Sequence, residues 1–72
     1  METRMFNRAI AVSSSDGARS EIFNRWDRVK DITRIGRGVI FEPVEPYHVA
    51  GTYSMEWGEF MMSTVAIAAA KA

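Results

Sequence analysis

The sequence predicts a small α+β domain in the order β-α-β-β-α, with a three-stranded antiparallel sheet covered by one or two helices. Three patterns predict it. Apolar and polar residues nearly alternate over 3–12, as on a half-buried strand. From Ser20 the apolar spacing changes to Ile22, Phe23, Trp26, Val29 and Thr33, a helical stripe. Alternation returns over 47–53, after the short apolar run Val39-Ile40-Phe41. The alternative is an all-β meander or barrel of five strands, in which 18–27 and 59–67 are strands too.

Taken in order, the first strand places Phe6, Ile10 and Val12 on one face and Met5, Ala9 and Ala11 on the other. Ser13-Ser14-Ser15-Asp16-Gly17 ends it, because short polar side chains bond their own backbone and glycine accepts positive φ. The helix follows, with Ser20 as N-cap, Glu21 in the first turn, Lys30 and Arg34 in the last, and Gly36 as its stop. Val39-Ile40-Phe41 forms the next strand. Pro43 and Pro46 bracket a connection, since proline cannot donate to a ladder. Tyr47, Val49, Gly51 and Tyr53 then alternate as the third strand. Residues 58–72, rich in Ala and Met, read as a helix, although Thr64, Val65 and Ile67 are β-branched and keep a strand over 60–67 open.

A chain of 72 residues makes one domain spanning 1–72, without a linker. At 47% apolar residues it can form a core, which excludes a disordered or low-complexity chain. A domain this small buries only about 60% of its unfolded surface. The absence of cysteine excludes disulfides, a thiol nucleophile and a cysteine-ligated zinc site, and it suits the cytoplasm. The longest apolar-leaning run, 60–70, is about half of what a bilayer span requires, so no membrane role is expected.

Charge is unevenly distributed. Through residue 40 there are eight Lys/Arg against five Asp/Glu, and beyond it one Lys against four Glu. Arg19, Arg25, Arg28, Lys30, Arg34 and Arg37 form a candidate basic face, with Phe23 and Trp26 among them. Cations for phosphates and aromatic faces for bases are what a nucleic acid requires. Against that, Glu21, Asp27 and Asp31 share the segment, and the pI near 6.6 lies well below that of a typical nucleic-acid-binding domain.

Catalytic and metal sites find little support. Glu42, Glu45 and His48 make an E-x-x-E-x-x-H string, but the two prolines deny it the helix that would align carboxylate and imidazole. His48 therefore reads as a strand histidine near the surface. Glu56 and Glu59 flank Trp57-Gly58 in a chain too small to build a cleft around them. Gly36-Arg37-Gly38 follows a helix rather than opening one, unlike a phosphate-cradling loop. No catalytic residue, metal or cofactor is expected.

The terminal segment gives the functional lean. Met55, Trp57, Phe60, Met61 and Met62 crowd eight positions, and a helix over 58–72 would be apolar nearly all round. Such a helix needs cover on two sides; methionine adapts to irregular surfaces and tryptophan is favoured at hot spots. The plainer account is that these side chains complete the core. The expectation is a non-enzymatic protein-binding module, an inhibitor or adaptor of the kind phages and mobile elements encode, which occludes a site on a larger protein. Nucleic-acid binding through the Arg segment and a homodimer through the C-terminal helix are the alternatives.

Overall fold

A computed structural model describes residues 3–67. Strands dominate it: β1 (Arg4–Phe6), β2 (Ile10–Ser14), β3 (Ser20–Phe23), β4 (Arg28–Ile35), β5 (Gly38–Pro43), β6 (Tyr53–Glu56) and β7 (Thr64–Ala66), with one short helix, α1 (Trp57–Ser63). They form a single antiparallel sheet in the order β3-β2-β6-β5-β4-β1-β7. This overturns the expected three-stranded α+β arrangement; the fold is close to the all-β alternative, with seven strands in place of five.

Connection lengths show how the sheet bends. In a flat sheet β3 and β4 would lie about 19 Å apart, four strand spacings. Only residues 24–27 join them, and these include a tight turn in which the Asp27 amide donates to the Asn24 carbonyl at 3.0 Å. The sheet therefore curls into a half-barrel. Phe6 on β1 reaches Phe23 on β3, ring centroids 5.2 Å apart, and the Trp26 amide donates to the Phe6 carbonyl at 2.7 Å.

The concave face is aromatic. Phe6, Phe23, Phe41, Tyr53 and Phe60 are fully buried with Val12, Val29, Ile32 and Val39, and Ile10, Met55 and Trp57 pack at the margin. The rings meet edge-on or tilted more often than stacked, which suits their quadrupoles. Arg4, almost wholly buried on β1, bonds the Thr64 hydroxyl and carbonyl at 2.8 and 3.0 Å and tethers β7 to the sheet.

The expected helix over 20–35 is β3, a turn and β4. Of the stripe Ile22, Phe23, Trp26, Val29 and Thr33 only Phe23 and Val29 are buried, and the turn at 24–27 lies between them. Between Lys30 and Thr33 the register slips, three steps on β4 facing two on β5, with Asp31 at φ 53°. That bulge sets Val29 and Ile32 on the same buried face at a spacing of three, where a regular strand needs two. Asp31→Gly is expected to raise stability by up to about 1 kcal/mol, because aspartate holds the left-handed conformation at some cost; Asp31→Val is expected to lower it by about 1–2 kcal/mol. Urea denaturation of the two variants checks the pair.

Gly36, read as a helix stop, instead opens the two-residue β4–β5 hairpin loop at φ 59°, the first central position of a type II′ turn. The third strand expected over 47–53 is displaced to 53–56, because residues 44–52 form a loop anchored by side chains. The C-terminal helix expected over 58–72 spans only Trp57–Ser63. Glu56 caps its start, accepting from the Glu59 amide at 2.9 Å. The Thr64 hydroxyl donates to the Phe60 carbonyl at 2.7 Å at the other end, and the β-branched pair Thr64-Val65 then joins β1 as a strand. The part of that expectation over 68–72 lies outside the described residues.

Candidate functional site

At one end of the half-barrel, residues 24–27 meet the 44–52 loop around His48. Glu21 and Phe23, two apart on β3, both point to the concave side. Phe23 carries the His48 ring, stacked at 4.1 Å and 15°. His48 Nδ1 lies 2.8 Å from Glu21 Oε1, and Nε2 lies 2.8 Å from Asp27 Oδ2. A carboxylate only accepts, so both ring nitrogens must donate, and only the imidazolium has two N–H groups. With both carboxylates ionised, the two contacts are satisfied together when His48 is protonated, a buried cation held between two anions.

The surrounding bonds complete both carboxylates. Glu21 Oε2 accepts from the Val49 amide at 3.0 Å and from the Tyr53 hydroxyl at 2.8 Å. Asp27 accepts from the Asn24 amide at 2.8 Å and from the Tyr47 hydroxyl. Next to them Arg28 forms a fork with Glu45, its Nε 2.7 Å from Oε2. Among the described residues no buried side-chain nitrogen or oxygen lacks a partner, as buried polar clusters require.

Protonation follows the same bonds. Burial alone would push His48 down, but its hydrogen bonds to Glu21 and Asp27, with their charges, outweigh it and raise its pKa. The bond from His48 is the main cause that lowers Glu21. Burial pushes Asp27 up, yet the bonds from Tyr47, Asn24 and His48 prevail and lower it. Its bond to Asp27 drives the Tyr47 hydroxyl to about 12. Tyr53 is raised, first by burial and then by Glu21.

This network holds an apolar surface in place. Trp26 is 49% exposed, Tyr47 66% and Val49 53%, and the two loops that carry them are bonded to one another through Asp27, His48 and Glu21. Trp26 also stands at φ 76°, a conformation bulky residues rarely adopt. The Arg25 guanidinium lies over its ring at 4.3 Å.

The structure disperses the residues singled out in the sequence. Phe60 is fully buried in the core and cannot meet a partner; Met55 and Trp57 are half-buried against it. Only Met61 and Met62 of that group are exposed, Met62 at 80%. The basic residues do not share one face. Arg19 lies over Tyr53 and reaches the Ala50 carbonyl; Arg25 and Arg28 flank the His48 end. Lys30 faces Glu42 across the β4–β5 ladder. Arg34 and Arg37 sit at the β4–β5 hairpin, Arg34 over Trp57 at 4.6 Å. His48 is buried in a loop, where a surface strand position was expected. In the E-x-x-E-x-x-H string, Glu45 goes to Arg28 and not to the histidine.

The partners of His48 lie 27 and 21 positions away in the chain, and no local motif links them. The legible signal was smaller: as a strand residue, Glu21 shares a face with Phe23, and an inward acid requires a cation or donors. No protein-family model, curated protein or solved structure matches the chain. Among the described residues no helix is long and apolar enough to cross a membrane.

Proposed function

We propose that this is a protein-binding module whose contact surface is the end of the half-barrel carrying Trp26, Tyr47 and Val49. The observation that supports this reading is Trp26, a large apolar side chain held half-exposed on a left-handed backbone. Such a conformation costs about 1–2 kcal/mol and persists here because the turn bonds on either side over-determine it. Trp, Tyr and Arg are the side chains most enriched at the centres of interfaces. The acids at this end are taken up internally: Glu21 and Asp27 by His48, Glu45 by Arg28. Arg19 and Arg25 form no ion pair among the described residues, so the surface suits a partner patch that is apolar at its centre and acidic at its rim.

Trp26→Gly separates function from folding. Glycine relieves the backbone while the partial packing of the indole is lost, so stability is expected to stay within about 1 kcal/mol of the parent. Trp26→Ala keeps the strain and is expected to fall about 1 kcal/mol below the glycine variant. In affinity capture from nuclease-treated lysate of the source cell, a stoichiometric protein partner is expected with the parent chain and not with Trp26→Gly. Equal capture by both, or material lost with the nuclease, overturns the reading.

A further inference from the structure

We propose that His48 is a proton-operated clamp on the partner surface: while it is an imidazolium it ties the 44–52 loop to β3 and to residues 24–27, and on losing a proton it releases the arm that holds Val49. The inference rests on the reading of Trp26, Tyr47 and Val49 as the contact surface.

The geometry carries the argument. Both ring nitrogens face carboxylate oxygens at 2.8 Å, so a neutral ring leaves one lone pair pointing at an anion. The two carboxylates are not equivalent. The Asp27 side chain is 5% exposed, whereas that of Glu21 is 18% exposed. Glu21 regains water more readily, so the proton that leaves is the one on Nδ1 and the Glu21 arm is the one that opens. The same Glu21 carboxylate accepts from the Val49 amide, so opening frees that amide, while the Val49 carbonyl keeps the Tyr53 hydroxyl at 2.8 Å. The Asp27 arm, with Tyr47 and the Asn24 amide, remains closed.

The groups around the ring come from several elements. From β3 come Glu21 and the stacked face of Phe23; from residues 24–27, Asp27; from β6, the Tyr53 hydroxyl bonded to Glu21. Within its own loop, Tyr47 is bonded to Asp27 and Glu45 is neutralised by Arg28 of β4. Arg19, its guanidinium 5.7 Å from the Tyr53 ring centroid, adds a cation beside the same network. Two anions against it leave the imidazolium favoured, in line with its raised pKa.

The test needs no partner. The His48 ring nitrogens are followed by NMR through a pH titration of the whole chain, together with hydrogen exchange at the Val49 and Asn24 amides, corrected for intrinsic rates. Three results are expected. Both nitrogens carry protons up to a midpoint above the 6.5 of ordinary histidine. Val49 protection falls through that midpoint, by about tenfold for each unit the midpoint exceeds the ordinary value. Asn24 protection stays level. In His48→Gln the Val49 exchange loses its pH dependence. A midpoint at or below the ordinary value, or Val49 protection level through the titration of the parent chain, overturns the clamp even if the glutamine variant does not fold. Neither result bears on capture by the Trp26 surface, so the two proposals fail separately.

Discussion

Phe23→Ala is expected to cost about 3–5 kcal/mol, the range for truncating a fully buried phenylalanine. That is most of the stability of a domain this size, about 4–10 kcal/mol at the usual value per residue. Phe23 is the side chain that joins the two halves of the curl. Its ring meets Phe6 from β1, Phe41 from β5 and Tyr53 from β6, and it floors the His48 ring. Its loss removes the contact that brings β3 against the far side of the sheet and opens the polar network to water together with the cavity. Met62→Ala, on an 80% exposed side chain, is expected to stay within about 0.5 kcal/mol. Urea denaturation distinguishes the two; similar losses would mean that the aromatic core is not what holds the curl.

Much of the fold was legible where local chemistry decides it. The alternation that placed Phe6, Ile10 and Val12 on one face gave the inward set of β1 and β2, although a short break at 7–9 divides that run into two strands. Of the Ser13–Gly17 breaker, Ser13 and Ser14 still belong to β2 and the turn follows them, with Gly17 at φ 74°, and Val39-Ile40-Phe41 lies in β5. What misled was periodicity. The spacing of Phe23, Trp26 and Val29 reads as a helical stripe, but a turn at 24–27 lies between the two buried members, and Ile22, Trp26 and Thr33 face solvent. Asn24 and Asp27 were the correcting signal, a pair of turn formers inside the supposed helix whose side-chain and backbone bonds close the β3–β4 connection. The Met-rich end misled for another reason: Phe60 lies under the curl of the sheet, and a sequence does not show which apolar residues a long-range contact will cover. The His48 network is the extreme case, assembled wholly by closure of the half-barrel.

Asp27→Ala carries the second large expected effect, a loss of about 3–5 kcal/mol, because it removes one anion from a buried ion pair. His48 Nε2–H, the Asn24 amide and the Tyr47 hydroxyl all lose their acceptor. The loss is greatest between the folded pKa of Asp27 and that of His48, where the parent chain has both partners charged and the variant leaves His48 only Glu21 to face. Asp27→Ala/His48→Phe is expected to regain about 1–3 kcal/mol of it, since a phenyl ring continues the stack on Phe23 and removes the stranded cation. Glu21 keeps the Tyr53 hydroxyl and the Val49 amide in that variant. The pH profile adds a check of sign. His48 is raised, so its stabilisation is complete below its ordinary pKa and disappears as pH rises through the folded one. Glu21 and Asp27 are lowered, so theirs is complete above their ordinary values and disappears as pH falls through the folded ones. Between those limits the parent chain is most stable, and the double variant should lose the alkaline decline due to His48 and show a smaller acid decline, since the main cause that lowers Glu21 leaves with His48. Strict additivity of the two substitutions, measured by denaturation across pH, would mean that Asp27 and His48 do not act as one unit.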